Sequence, residues 1–118
     1  MPQCIVIADE ITGGSAVGSM LEKNGNSVCS LMSARGLKDP ETAKYDCLVY
    51  STNSRNLTAL QSYQLVFSSA KLLKSDEVKL YAKRIDPAMR GNTCAETEAL
   101  LDALGDKDQS LKLDIIRS

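Results

Sequence analysis

With 118 residues, 43% of them apolar and 25% charged, the chain is sized for one domain whose modest core needs no disulfide or metal to fold. Its net charge of -1, its scattered lysines and arginines, and its aromatic set of four tyrosines and one phenylalanine argue against a nucleic-acid partner or an anionic membrane surface. The absence of histidine excludes a histidine triad, a histidine-ligated metal and a histidine base, which leaves proton transfer to Asp, Glu, Lys, Cys or Tyr.

Residues 4–8 (CIVIA) form a short, continuous apolar run, the pattern of a strand buried on both faces. No basic segment precedes it and no apolar stretch approaches the roughly 20 residues of a membrane span, so neither a signal peptide nor a membrane partner is expected and the location expected is cytoplasmic. After Asp9 and Glu10, the run Thr12, Gly13, Gly14, Ser15 leads into a helix with Ala16, Val17, Met20 and Leu21 on its apolar face, closed by Asn24 and Gly25. Residues 27–32 read as a second strand, and 33–44 as loop with one helical turn. Residues 47–50 (CLVY) read as a third strand. A long helix follows over about 58–74, with Leu60, Tyr63, Val66, Phe67, Ala70 and Leu73 facing inward. Residues 78–82 make a fourth strand, and a last helix starts near Thr93, turns Leu100, Leu101 and Leu104 inward, and stops at Gly105. Beyond residue 106 the chain is polar, then alternates Leu111, Leu113 and Ile115 with Lys112 and Asp114, as an edge strand or a loosely docked tail would. Of the four cysteines, Cys4, Cys29 and Cys47 sit in strand-like runs and no C-x-x-C pair occurs, so reduced, largely buried thiols are expected.

This alternation predicts an α/β fold, an open, mostly parallel, Rossmann-like three-layer sheet with flanking helices. Ligands bind such sheets beyond the carboxyl ends of the strands, and three polar motifs fall at three of those ends. The first, ADEITGGSAVG (8–18), joins two acids to glycines at a helix start, which suits a carboxylate, a phosphate or a polyol oxygen, or serves as a tight turn and cap. It matches neither the dinucleotide fingerprint nor the phosphate-loop pattern. The second, STNSRNL (51–57), places Ser54 and Arg55 where a guanidinium can take a carboxylate with both arms, or stand solvated on a loop. The third, KRIDPAMRGN (83–92), sets Lys83, Arg84 and Arg90 around Asp86 ahead of Gly91 and Asn92. Three cations at one rim would hold an anion and oppose charge on a transferred phosphoryl group, and a purely structural ion cluster is the alternative.

Taken together, IADEITGG, NSRNL, AKRIDPAMRGN and ETEALLDALG resemble, in this order, the N-terminal domain of the four-carbon acid sugar kinase family over residues 3–106. The family pattern is an ADDxTGA-type loop, an SRxL element, a K-[KR]-x-D-S-T-x-R-G-N element and a helix ending LLDALG. The resemblance implies that residues 1–106 are the sugar-acid-binding domain of an ATP-dependent kinase acting on threonate, erythronate or their 3-oxo forms. ATP with Mg would be bound by a separate C-terminal domain in cis or in trans, residues 107–118 carry no resemblance, and the chain alone would lack turnover. By position, Arg55 or Arg90 would clamp the substrate carboxylate, and Asp9 or Asp86 would orient or deprotonate the attacking hydroxyl. Glu10, Gly13, Gly14, Ser15, Ser54, Lys83, Arg84, Gly91 and Asn92 would line the substrate side, and no residue is assigned to a metal. The sequence departs from the pattern at Glu10, in place of a second aspartate, and at Ala16, Pro87 and Ala88, where a carboxylate and two hydroxyls are lost. A stand-alone module that senses a small hydroxy acid and a degenerate fragment are the rival readings, and a domain parted from its partner would expose an apolar face and self-associate.

Overall fold

The computed structural model describes residues 2–105 and 113–117. Five strands, β1 (Cys4–Ala8), β2 (Val28–Leu31), β3 (Cys47–Ser51), β4 (Leu80–Ile85) and β5 (Leu113–Arg117), lie in the order β2-β3-β1-β4-β5, and every pairing is parallel. Three helices, α1 (Ile11–Lys23), α2 (Ala59–Leu73) and α3 (Thr93–Leu104), connect them, together with two 3-10 turns at Ala34–Lys38 and Pro40–Lys44. The expected open, parallel α/β sheet is therefore present, and its last strand lies beyond residue 106 as an edge strand beside β4.

β1 sits at the centre because Ile5, Val6, Ile7 and Ala8 are all fully buried, and only an inner strand is covered on both faces. The alternation of side chains builds two cores. Ile5, Ile7, Leu48, Tyr50 and Tyr81 pack under α2 and α3 with Val66, Ala70, Leu73, Leu100 and Leu104. Val6, Val49 and Ala82 face the other way, onto Val17 of α1. Fully burying a side chain of this size contributes about 1.5–3 kcal/mol, so the larger cluster dominates the fold. Tyr81 ties that cluster to the end of α2, donating to the Leu73 carbonyl at 3.2 Å and accepting from Ser75 N at 2.9 Å.

α2 starts on a capping box, with Thr58 and Gln61 satisfying one another's backbone N–H groups. α1 and α3 stop at residues in left-handed or turn conformations, Gly25 (φ +90) just past α1 and Gly105 (φ +78) at the end of α3. Several expectations of facing fail. α1 begins at Ile11, so Gly13 and Gly14 lie in its first turns and, with Val17 and Gly18, form the face against the sheet, while Ala16 and Met20 are exposed. Leu60 and Leu101 are also exposed. β4 extends to Ile85, and its charged residues are as buried as its apolar ones. All four cysteines are free. Cys47 is buried, Cys4 and Cys29 are half-buried and Cys94 is exposed, and burial, with Cys47 alongside, pushes the Cys4 thiol up to about 11.

Among the described residues no helix is long and apolar enough to cross a membrane.

Candidate functional site

Chain topology places the site. β1 and β3 are neighbours, but the chain leaving β1 enters α1 on one face of the sheet, whereas the chain leaving β3 enters α2 on the other. The two loops diverge and leave a crevice at their junction, with the end of β4 on its far side. Each of the three polar motifs opens at this edge.

Asp9, the first residue after β1, is almost buried and takes both arms of Arg55, Nε to Oδ2 at 3.1 Å and Nη2 to Oδ1 at 3.3 Å. The same Nη2 lies 3.7 Å from Glu10 Oε1 and 3.6 Å from Asp86 Oδ1, so one guanidinium from the β3–α2 loop joins carboxylates from the ends of β1 and β4. Arg84, buried on the α1 side, brings Nη1 to 3.8 Å from Asp9 Oδ1 and 3.9 Å from Glu10 Oε1. Arg90, largely exposed, grips Asp86 through Nε at 3.0 Å and Nη2 at 2.8 Å. The backbone N–H groups of Ala88 and Arg90 also donate to Asp86 Oδ2, at 2.9 and 3.3 Å.

Three guanidiniums and three carboxylates thus share one crevice, and their charges cancel. The Arg90 guanidinium first of all, against the opposing effect of burial and with the two backbone donors, holds the Asp86 carboxyl far below the usual carboxylate range. Burial pushes Glu10 up, but the N–H groups of Gly13 and Thr12 and then the Arg55 charge outweigh it, and its carboxyl is lowered. Those two N–H groups are donors to the Glu10 side chain at 2.6 and 3.2 Å, which makes Glu10 the N-cap of α1 as well as a member of the crevice.

The glycines act through close packing. A Cβ on Gly13 would run into the Arg84 guanidinium, and one on Gly14 would sit 2.7 Å from Ser51 Oγ. Gly91, with φ +87, leaves room for Asp9, whose Oδ2 would lie 2.7 Å from a Cβ there. Asn92 precedes α3 and makes no side-chain cap bond; its amide donates instead to Leu57 O at 2.7 Å and Ser62 Oγ at 2.9 Å, which ties the third loop to the second. The first turn of α3 therefore carries no side-chain cap on the side of the crevice.

Three expected site residues stand elsewhere. Ser15 is on the exposed face of α1. Lys83 points through the opposite face of the sheet from Arg84 and is buried against Glu96 of α3, Nζ to Oε1 3.2 Å. Ser54 is completely buried and its hydroxyl donates to Glu96 Oε2 at 2.7 Å. Asp9, Glu10, Arg55, Arg84, Asp86, Arg90 and Gly91 are brought together.

A model of the family described as the sugar-binding N-terminal domain matches residues 4–113. The chain belongs to that family. Its relatives are kinases, matched over their N-terminal part. The D-erythronate kinase of Heliobacterium modesticaldum is 31% identical over 107 residues, covering 89% of this chain and 24% of the relative. The D-threonate kinase of Salmonella typhimurium is 33% identical over 100 residues (84% and 23%), and the 3-oxo-tetronate kinase of Escherichia coli 30% identical over 103 residues (84% and 26%). A solved structure from Bordetella bronchiseptica, a domain of unknown function with bound citrate in a domain-swapped dimer, superposes with a TM-score of 0.82 at 26% identity, covering 86% of this chain and 26% of that one. The chain spans about a quarter of the length of the curated relatives it matches.

This sugar-binding N-terminal domain has one charged residue that reading the sequence missed. Glu96, completely buried, is the partner of both Lys83 and Ser54. The signal for it was Lys83 itself, two residues after Tyr81 and so on the same face of the strand, turned toward α3.

The described residues of the crevice do not fit ATP with Mg. Gly13 and Gly14 are packed inside α1 rather than exposed as a phosphate cradle, and the three crevice carboxylates converge on Arg55. Among the described residues no group of three or more His, Cys, Asp or Glu could hold a metal ion.

Proposed function

We propose that this domain is the substrate half of an ATP-dependent kinase for four-carbon sugar acids of the erythronate, threonate or 3-oxo-tetronate type. The observation that carries the reading is the joining of Asp9, Glu10, Arg55, Arg84, Asp86 and Arg90, from three strand ends, in a single charge-balanced crevice. A small hydroxy acid presents one carboxylate and several hydroxyls. Guanidiniums donate to the first and carboxylates accept from the second.

Arg90, the exposed guanidinium, is the arm that reaches the substrate carboxylate, and the uncapped first turn of α3 lies beside it. Asp86 is a poor base, because four hydrogen bonds keep its carboxylate deprotonated and occupied. Asp9 takes two longer bonds from Arg55 and has Arg84 within ion-pair distance, and it orients the attacking hydroxyl and accepts its proton. Gly91 keeps that approach open. ATP and Mg belong to a domain outside this chain, joined in cis or in trans. Exposed Ile11, Leu57, Leu60 and Met89, all beyond strand C-termini, are the apolar rim that such a domain covers and through which the isolated chain self-associates.

Calorimetric titration with D-erythronate, D-threonate and their 3-oxo forms tests the reading. At least one should bind, and Arg90→Ala should weaken it by about tenfold or more, the loss of one charge-assisted pair. An Arg90→Ala variant that binds every acid as tightly as the parent contradicts it.

A further inference from the structure

We propose that the buried Lys83–Glu96 ion pair is a positioning device which, through the hydroxyl of Ser54, fixes the loop that presents Arg55 to the crevice. The proposal deepens the sugar-acid reading and rests on it for the identity of the ligand. Lys83 and Glu96 are 1% and 0% exposed and lie on the sheet face opposite Arg84, so neither reaches a ligand in the crevice. Apart from their polar partners they lie on the sheet face of the core that holds Tyr81, Ile7 and Leu100. An ion pair in such a place is no more stabilising than well-packed apolar residues of similar volume, so stability does not account for it.

Its contacts give it another use. Glu96 Oε2 accepts from Ser54 Oγ at 2.7 Å, and Ser54 Oγ lies 2.6 Å from Thr52 Oγ1, which reaches Ala8 O at 3.2 Å. The N–H of Ser54 donates to Asp9 O at 2.8 Å, and its carbonyl accepts from Ser62 Oγ at 2.9 Å. Every polar group of Ser54 is therefore bonded, and among the described residues its charged partner is Glu96. Ser54 follows Asn53, whose left-handed backbone (φ +52) turns the chain sharply after β3, and it immediately precedes Arg55. At the other end Lys83 Nζ donates to Arg84 O at 2.8 Å, which pins the end of β4 ahead of Asp86. One buried pair thus sets two of the three loops that meet in the crevice. A supporting group that orients a ligand-binding side chain typically changes affinity about 10- to 100-fold when removed.

The test uses three variants of the full chain. Lys83→Met with Glu96→Leu removes both charges and the acceptor for Ser54. Lys83→Met with Glu96→Gln removes the charges but keeps an acceptor oxygen. Ser54→Ala severs the link while leaving the pair, and serves if the leucine variant does not fold. Amide hydrogen exchange at Ser54 and Arg55 is read beside D-erythronate titration. The leucine and alanine variants should exchange faster at both amides and bind about tenfold or more weakly, while the glutamine variant keeps slow exchange and most of the affinity. Unchanged exchange and affinity in Ser54→Ala overturn the proposal, as does a glutamine variant no better than the leucine one. If no form binds D-erythronate, the parent included, but exchange follows the predicted order, the positioning role stands and the assignment of ligand fails.

Discussion

Gly91→Ala is the sharpest perturbation of the crevice, because Gly25→Ala serves as its control. Both glycines have nearly the same φ, +87 and +90, but a Cβ at Gly25 meets nothing within 4 Å, whereas one at Gly91 meets Asp9 Oδ2 at 2.7 Å and Arg55 Cγ at 3.4 Å. A left-handed conformation costs a residue with a Cβ about 1–2 kcal/mol, and the lower entropy of the unfolded alanine chain returns about 0.4–1, so Gly25→Ala should lose about 1 kcal/mol. Gly91→Ala bears the same loss and must also push Asp9 away from Arg55. A hydrogen bond to a charged group is worth about 1.5–3 kcal/mol, so losing one of the two brings the total to about 2.5–4 kcal/mol. At about 4 °C per kcal/mol for a domain of this size, Tm should fall by about 4 °C in the control and by about 10–16 °C in Gly91→Ala. Differential scanning calorimetry reads the first quantity. Titration with D-erythronate reads the second, and it should be unchanged in Gly25→Ala and strongly weakened in Gly91→Ala. Equal losses of stability with equal affinities in the two variants refute the placement of Asp9 against Gly91.

Two further outcomes follow from the ionisable groups. Asp86 is held below the usual carboxylate range, foremost by Arg90, so its folded form resists a proton that the unfolded chain takes up near pH 4. Its stabilising effect is complete above that pH and is lost as pH falls toward the folded value, so Asp86→Asn should flatten the acid limb of a plot of stability against pH; a limb as steep as the parent's contradicts this. An uncharged thiol reagent at neutral pH should modify exposed Cys94 first and leave Cys4, raised to about 11 by burial, and buried Cys47 until the protein unfolds; peptide mapping that finds Cys47 labelled ahead of Cys94 contradicts the fold.

The sheet was legible because its inner strands are continuous apolar runs. Residues 4–8 and 47–50 read correctly, since full burial leaves no polar face to confuse the period. β4 starts two residues later and ends three residues further on than the pattern of 78–82 predicts, because Lys83 and Arg84 look like a loop. They are strand residues whose charges are met on opposite faces, by Glu96 on one and by Asp9 and Glu10 on the other. Hydropathy is also blind to glycine: of the apolar face expected at Ala16, Val17, Met20 and Leu21, Val17 is buried and Leu21 half-buried, and the helix nests on the sheet through Gly13, Gly14, Val17 and Gly18. At the crevice, the order of the motifs along the chain located Asp9, Arg55, Asp86 and Arg90 at strand ends. The division of Lys83 from its neighbours came only from strand alternation, and Glu96, which inside a helix looks like any solvated acid, only from the packing of α3 on β4.

The central claim is that loops following β1, β3 and β4 grip one small hydroxy acid together. Titrating D-erythronate against isotopically labelled protein, with the Nε–Hε resonances of Arg55, Arg84 and Arg90 followed by NMR, tests it most directly. All three should shift along one saturating curve, with the amides of Asp9 and Gly91 moving in step. Saturable binding that leaves these resonances in place and moves others, such as those on the outer faces of α2 and α3, contradicts the account.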